Sequence, residues 1–308
     1  MFLPPKLSPR PVRREEKPIL PKPPPPTTER NKKDNDDKFK VSDPDRKELT
    51  MAINIYSDDV IARALNKSPS VKEKACQEIK ETLSKYSEND SQYKPAQVLK
   101  GTTQIIARLI RDKVWAIFGH GVALTNSIYE HFIFAHPLPQ KELASSVEKL
   151  QKELLARGCD TTERVMDKAE ATLEMMLQNK KISSLGIMQN TLSEPLSSSK
   201  SSNPKMALVR SELMKYIIDD LIELVGVPPL SIIRVSEFAL SAVNHTFQPV
   251  KRIGEKIMLR MYEIDPKRVR KVMPPDTPKN RKTNSYKYLF EAFTRRDQRS
   301  ATETPFEY

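Results

Sequence analysis

From about Leu49 onward the chain repeats one pattern, an apolar stripe at helical spacing followed by a short polar connector. In residues 70–86, Val71, Ala75, Ile79 and Leu83 recur at i, i+4 spacing, and Ser70 with Glu73 reads as a capping box. Residues 95–111 carry Val98, Ile105, Ile106, Leu109 and Ile110 behind a first-turn proline. The run 114–134, rich in Ile, Phe and Leu, ends at His136-Pro137. Next, 139–156 holds Leu143, Val147, Leu150 and Leu154 and stops at Gly158, and 161–178 holds Val165, Ala169, Leu173 and Met176. A Ser-rich break at 193–203 interrupts the pattern, which resumes at 204–225, 229–243, 250–262 and 285–295. Each stripe needs an apolar neighbour, so these helices have to pack on one another.

Seven glycines in 308 residues are too few for strands and tight turns, which sets aside all-β and nucleotide-binding α/β folds. The 25 prolines are no obstacle: eleven precede residue 48 and most others stand where helices should end. No run of eighteen apolar residues and no apolar N-terminal region are present, so neither a membrane span nor a secretory route is expected. Taken in pairs, the helices recur at roughly 40 to 45 residues, the period of HEAT-type repeats. The expected fold is all-α, an α-solenoid of helix pairs, with an irregular helical bundle as the alternative. Three parts are expected: a disordered Pro-rich basic arm at 1–47, the helical array at 48–296 and a flexible tail at 297–308.

Polar clusters with a basic residue precede the second helix of each pair. They are Asn66 to Glu73, Arg111 to Trp115, Cys159 to Arg164, Ser201 to Lys205 and His245 to Arg252. In a solenoid these five turns line one edge and form a ridge carrying Lys72, Lys113, Arg164, Lys205, Lys251 and Arg252. The formal net charge of +12 suggests an acidic partner, whether nucleic acid, anionic lipid or an acidic protein surface, and charge alone does not choose among them. A row of fixed basic turns suits an acidic protein surface. Nucleic acid is a poor fit, because dense arginine and stacking aromatics are missing from the turns. The other reading is that these residues cap helices and stay solvated.

The turns carry a family resemblance. Lys67-Ser68-Pro69-Ser70-Val71-Lys72-Glu73-Lys74-Ala75 keeps the frame Lys-x-Trp-Ser-x-Arg-Glu-x-Ala, and His245, Val250-Lys251 and Met261-Tyr262 keep a second. A third match is Met273-Pro274-Pro275-Asp276, Arg281, Tyr286-Lys287 and Phe290-Glu291-Ala292-Phe293. Over roughly residues 50–296 the chain resembles the TOG domain of the ciliary-tip centrosomal protein of 104 kDa family, a tubulin-binding HEAT array. The resemblance implies binding of αβ-tubulin or microtubules, in the cytoplasm and cytoskeleton, at cilia, centrosomes or centrioles. It implies no cofactor, and the ridge residues, with Pro69 and Trp115, become candidate tubulin contacts.

Two departures from the family stand out. Pro69 occupies the place of the family tryptophan, the expected anchor, whose loss costs about 2 kcal/mol on the hot-spot scale, roughly 30-fold in affinity. Trp115 either replaces that anchor or packs beneath its turn. The family also carries further domains, zinc fingers among them, which two cysteines cannot build, so the chain is expected to be a TOG-only relative, a fragment or a short isoform. A degenerate TOG fold that scaffolds ciliary or centrosomal proteins is the alternative to tubulin binding. In the arm, Pro23 to Pro26 would suit an SH3-type groove. Pro18-Ile19-Leu20-Pro21 resembles the Ser-x-Ile-Pro motif of end-binding-protein ligands but lacks its Ser or Thr.

No catalytic constellation is found. His120, His131, His136 and His245 lack metal-ligand spacing, and no Gly-rich phosphate loop occurs. Cys76 has Lys72 and Lys80 at helical spacing but reads as a buried structural thiol. Asp219-Asp220 reads as helix surface, and Lys267 to Lys271 as the solvated side of a last pair with Val269 and Val272 inward.

Overall fold

Among the described residues the first helix is α1 (Asp43–Glu48), capped by Ser42, whose hydroxyl accepts from the Asp45 amide at 3.4 Å. The computed structural model describes residues 40–197 and 203–303. α1 leads into α2 (Thr50–Tyr56) and α3 (Asp58–Ala64), a broken first helix that turns back into α4 (Pro69–Ser84). The break lies at Ser57, held at φ 76° and ψ 156°, a conformation costly for a side-chain-bearing residue. α5 (Pro95–Ile110) pairs with α6 (Trp115–Asn126), which continues through a π-helical stretch, Ser127–Phe132, into α7 (Ile133–Ala135). α8 (Gln140–Gly158) pairs with α9 (Glu163–Gln178). The short α10 (Lys180–Ser183) and α11 (Ile187–Leu192) precede α12 (Pro204–Asp220). α13 (Ile232–Val243) pairs with α14 (Gln248–Ile264), and α15 (Pro266–Val272) with α16 (Asn284–Glu303).

The pairs stack as two layers. In the first, α2 packs on α5, α5 on α8, α8 on α11, and α13 on α15. In the second, α4 packs on α6, α6 on α9, α9 on α12, α12 on α14, and α14 on α16. This is the α-solenoid the periodicity predicts, and no strand occurs among the described residues. Its period appears directly in the bonds between successive pairs: Thr103 and Ser146 hydroxyls meet 43 residues apart, and Arg234 reaches the Asn190 carbonyl across 44. The buried stripes are those the spacing marks, such as Val98, Ile105, Ile106 and Ile110 on α5. At the last pair Tyr262 and Phe293 stack with ring centroids 3.8 Å apart, which joins two of the motifs quoted above.

Some boundaries differ from the expected ones. α1 lies inside the segment assigned to the arm, because Val41 is buried and Asp45 and Glu48 pair with Arg108 (3.2 Å) and Arg111 (3.3 Å). α16 runs through Asp297 into the expected tail, where Asp297 accepts from Tyr262 (2.7 Å) and Arg270 (2.5 Å). Residues 1–39, with the proline clusters and short-motif candidates, lie outside the described residues. The helix expected to open at Ser70 opens at Pro69, with Ser68 as its cap residue and the proline at the favoured first position, so no Ser70–Glu73 capping box forms.

The run 114–134 widens into π geometry after Thr125 and Ser127, whose hydroxyls bond the carbonyls of Gly121 (2.9 Å) and Ala123 (3.0 Å). The Tyr129 carbonyl accepts from Asn179 (2.6 Å) and that of Ile133 from Lys181 (2.9 Å), which ties the stretch to the next pair.

Backbone spacing is tightest where α14 crosses α13. A Cβ on Gly254 would stand 2.7 Å from the Val243 nitrogen and 2.8 Å from the Ala242 Cβ, whereas one on Gly119 would meet nothing within 4 Å. Gly254→Ala should therefore destabilise by about 1–3 kcal/mol. Gly119→Ala, inside α6, should stabilise by roughly 0.5–1 kcal/mol. Chemical denaturation followed by circular dichroism separates them, and equal midpoints for the two variants would refute the close approach.

Candidate interface along the turn edge

Five turns joining the first and second helices of successive pairs share one construction. In each, a polar side chain accepts a hydrogen bond from the amide two residues onward. Asn66 accepts from Ser68 (2.8 Å), Asp112 from Val114 (2.9 Å), Asp160 from Thr162 (3.0 Å), Asn203 from Lys205 (3.0 Å) and His245 from Phe247 (3.1 Å). The polar clusters of the sequence are thus turn-closing acceptors that prepare each second helix. His245 does this while buried, and burial, helped by Lys251, lowers its pKa and keeps the ring neutral as an acceptor.

The turns are also bonded to one another. Lys72 of the first turn pairs with Asp112 of the second, both side chains largely covered. The Arg164 guanidinium of the third turn lies over the Trp115 ring of the second, 4.9 Å from its centroid. Lys205 of the fourth donates to the Asp160 carbonyl of the third at 2.8 Å. Beyond the fifth turn, the Tyr286 hydroxyl donates to Asn244 at 2.7 Å. Arg111 reaches back to Glu48 and forward to Glu153 at 2.6 Å. Stacking bonds the first turn to the second, the second to the third and the third to the fourth, and the candidate ridge residues take two roles. Lys72, Arg164 and Lys205 join turns, while the side chains of Lys113, Lys251 and Arg252 have no hydrogen-bond or ion-pair partner among the described residues.

Pro69 begins α4 and is exposed. Trp115 begins α6, packs against the core, leans on Phe118 (centroids 5.8 Å apart) and is covered by Arg164. Of its two sequence readings the structure shows the packed one. Two apolar residues of the edge escaped the sequence reading: Val114, 36% exposed, and Phe247, 37% exposed. Both follow a turn-closing acceptor by two residues, and that position was the available signal. A groove of about 380 Å³ opens between the first two turns, walled by Leu65, Lys72, Arg108, Arg111 and Lys113.

Elsewhere, Asp219 pairs with Lys215 at 2.9 Å on α12, and on α15 Val269 is buried while Val272 is half-buried. Among the described residues no His, Cys, Asp and Glu grouping suits a metal ion, and no helix is long and apolar enough to cross a membrane.

A family model for the TOG domain of centrosomal protein CEP104 matches residues 46–257. The chain belongs to the CEP104 TOG-domain family. The centrosomal protein of 104 kDa from Homo sapiens is 26% identical over 254 residues, covering 82% of this chain, and that from Mus musculus is 27% identical over 252. The chain spans only 27% of the length of these relatives. The solved TOG domain of human Cep104 superposes with a TM-score of 0.76 at 25% identity, covering 84% of this chain and 98% of that one. A second solved CEP104 TOG domain gives 0.75. Within this CEP104 TOG-family fold, the third motif builds a sixth turn. Asp276 grips Arg281 with two bonds of 2.6 and 2.7 Å, and the guanidinium lies 5.8 Å from the Phe290 ring centroid.

Cys76 is buried on α4, within reach of the charges of Lys72 and Asp112. Burial pushes its thiol up to about 12, outweighing the pull of Lys72, and burial also raises the half-buried Cys159. At pH 8 the Cys76 thiolate fraction is then roughly one in ten thousand. Iodoacetamide should label Cys159 in the native protein and Cys76 only after unfolding. Peptide mass spectrometry reads the order, and native labelling of Cys76 ahead of Cys159 would contradict the structure.

Proposed function

We propose that the chain is a non-enzymatic tubulin- or microtubule-binding module acting at centrosomes, centrioles or cilia. One observation carries the proposal: a chain of the CEP104 TOG-domain family presents five turns of like construction, the first four of them bonded each to the next. Lys113, Lys251 and Arg252 supply charge complementary to an acidic protein surface, and Val114 and Phe247 supply apolar contact.

A second reading, a TOG fold kept as a scaffold for ciliary or centrosomal proteins, is favoured by one specific feature. Pro69 is exposed where the family pattern has tryptophan, so the first turn lacks a large aromatic anchor.

Size-exclusion chromatography of the full chain with tubulin dimer, at low and moderate salt, decides between them. Co-elution that weakens with salt is the expected result. Pro69→Trp should tighten it about 30-fold, equivalent to about 2 kcal/mol. Absence of binding by the natural chain, restored by Pro69→Trp, would establish the scaffold reading.

A further inference from the structure

The net charge is not spread along the turn edge. Residues 43–243 contain 26 Lys and Arg against 26 Asp and Glu and are neutral overall. Residues 244–297 contain fourteen basic against six acidic residues, a net +8 within the chain's +12. This stretch comprises the fifth turn, α14, α15, the sixth turn and most of α16.

Its arginines and lysines are used differently. Arg260 pairs with Glu263 (2.8 Å), Arg268 with Asp265 (3.3 Å), Arg270 with Asp297 (2.5 Å), Arg281 with Asp276 (2.6 Å) and Arg296 with Glu263 (2.5 Å). Four of the six acids of the region thus neutralise arginines. Lys279, Lys282 and Lys287 are exposed and have no side-chain partner among the described residues. They lie on the sixth turn and the start of α16, which Tyr286 bonds to the fifth turn, where Lys251 and Arg252 also lack partners.

We propose that the fifth and sixth turns form a binding surface for an extended, carboxylate-rich peptide. Lysine ammonium groups on flexible stems attract charge without imposing a fixed geometry, which suits a mobile acidic chain. Duplex nucleic acid is held best by arginine forks on phosphate, and here the forks are largely closed on carboxylates of the same molecule. Because the surface includes a sixth turn and is defined by charge, it goes beyond the tubulin reading and stands without it.

The test uses the full chain and a fluorescein-labelled deca-glutamate peptide, followed by anisotropy over a salt series. The triple variant Lys279→Ala, Lys282→Ala, Lys287→Ala is compared with Lys80→Ala, Lys85→Ala, Lys152→Ala, which removes equal charge from exposed sites in the neutral part. The expected result is salt-sensitive binding by the natural chain, weakened about tenfold by the first triple and within twofold by the second. Equal thermal melts would show that both triples fold. No binding by the natural chain, or equal weakening by both triples, would overturn the proposal. So would undiminished binding in the first triple, which would assign the peptide to the basic residues of 1–42. Tighter binding of a 20-base-pair duplex, lost in the same triple, would overturn it in favour of nucleic acid. Tubulin co-elution without peptide binding would sink this inference and leave the tubulin reading intact.

Discussion

A two-helix unit can cover only one side of each of its apolar stripes, and the flanks left over are what organise this molecule. Ile105, Ile106 and Ile110 of α5 are buried because the pairs before and after close over them. The flanks are satisfied only if like helices pack on like, which sorts first helices into one layer and second helices into the other. Once that sorting is imposed, every connector from a first to a second helix has to emerge on the same edge. The turn edge is therefore a consequence of core burial, and no turn needs its own reason for being there.

Register along that edge is then tightened by polar bonds whose sequence separations repeat the unit. Lys72 and Asp112 are 40 residues apart, Arg111 and Glu153 are 42, Asn244 and Tyr286 are 42, and Asp160 and Lys205 are 45. Each is a single polar contact, and the half-exposed Arg111–Glu153 pair is of a class worth about 1 kcal/mol or less. Their combined effect is positional: a turn closed by its own acceptor and bonded to its neighbour has little freedom left. A partner meeting such an edge pays little ordering entropy. The residues that confer this rigidity are, however, the cations that would otherwise face the partner.

That trade explains what was legible in the sequence. Amphipathic stripes such as Val165, Ala169, Leu173 and Met176 gave the long helices, because burial on one face leaves a periodic trace. The pairing period gave the solenoid and hence the common edge. The broken first helix, α10 and α11 left no such trace, being six or seven residues or fewer per piece and interrupted by Ser57 and by Gly186 at φ 69°. Which cation stays free was also hidden. Lys72 and Lys113 look alike in sequence, and only the position of Asp112, one repeat after Lys72, separates a joint from an exposed charge. Trp115 is a similar case, since its cover comes from Arg164 in the following turn.

The same pairing rule divides the edge into unlike halves. Residues 43–243, which carry the first four turns, balance acids and bases, and several cations are matched across repeats, so a partner would meet the groove beside Leu65, the exposed Val114 and the unpaired Lys113. From the fifth turn on, bases outnumber acids, and four of the six carboxylates are taken by arginines, which hold them with charge-assisted bonds. The lysines and Arg252 are left over. A surface assembled this way has a defined, internally bonded end and a diffuse, electropositive end, and Phe247 stands at the junction. On the proposed function, long-range attraction would act from one end while close fit is available at the other, so that approach and docking would draw on different residues of the chain.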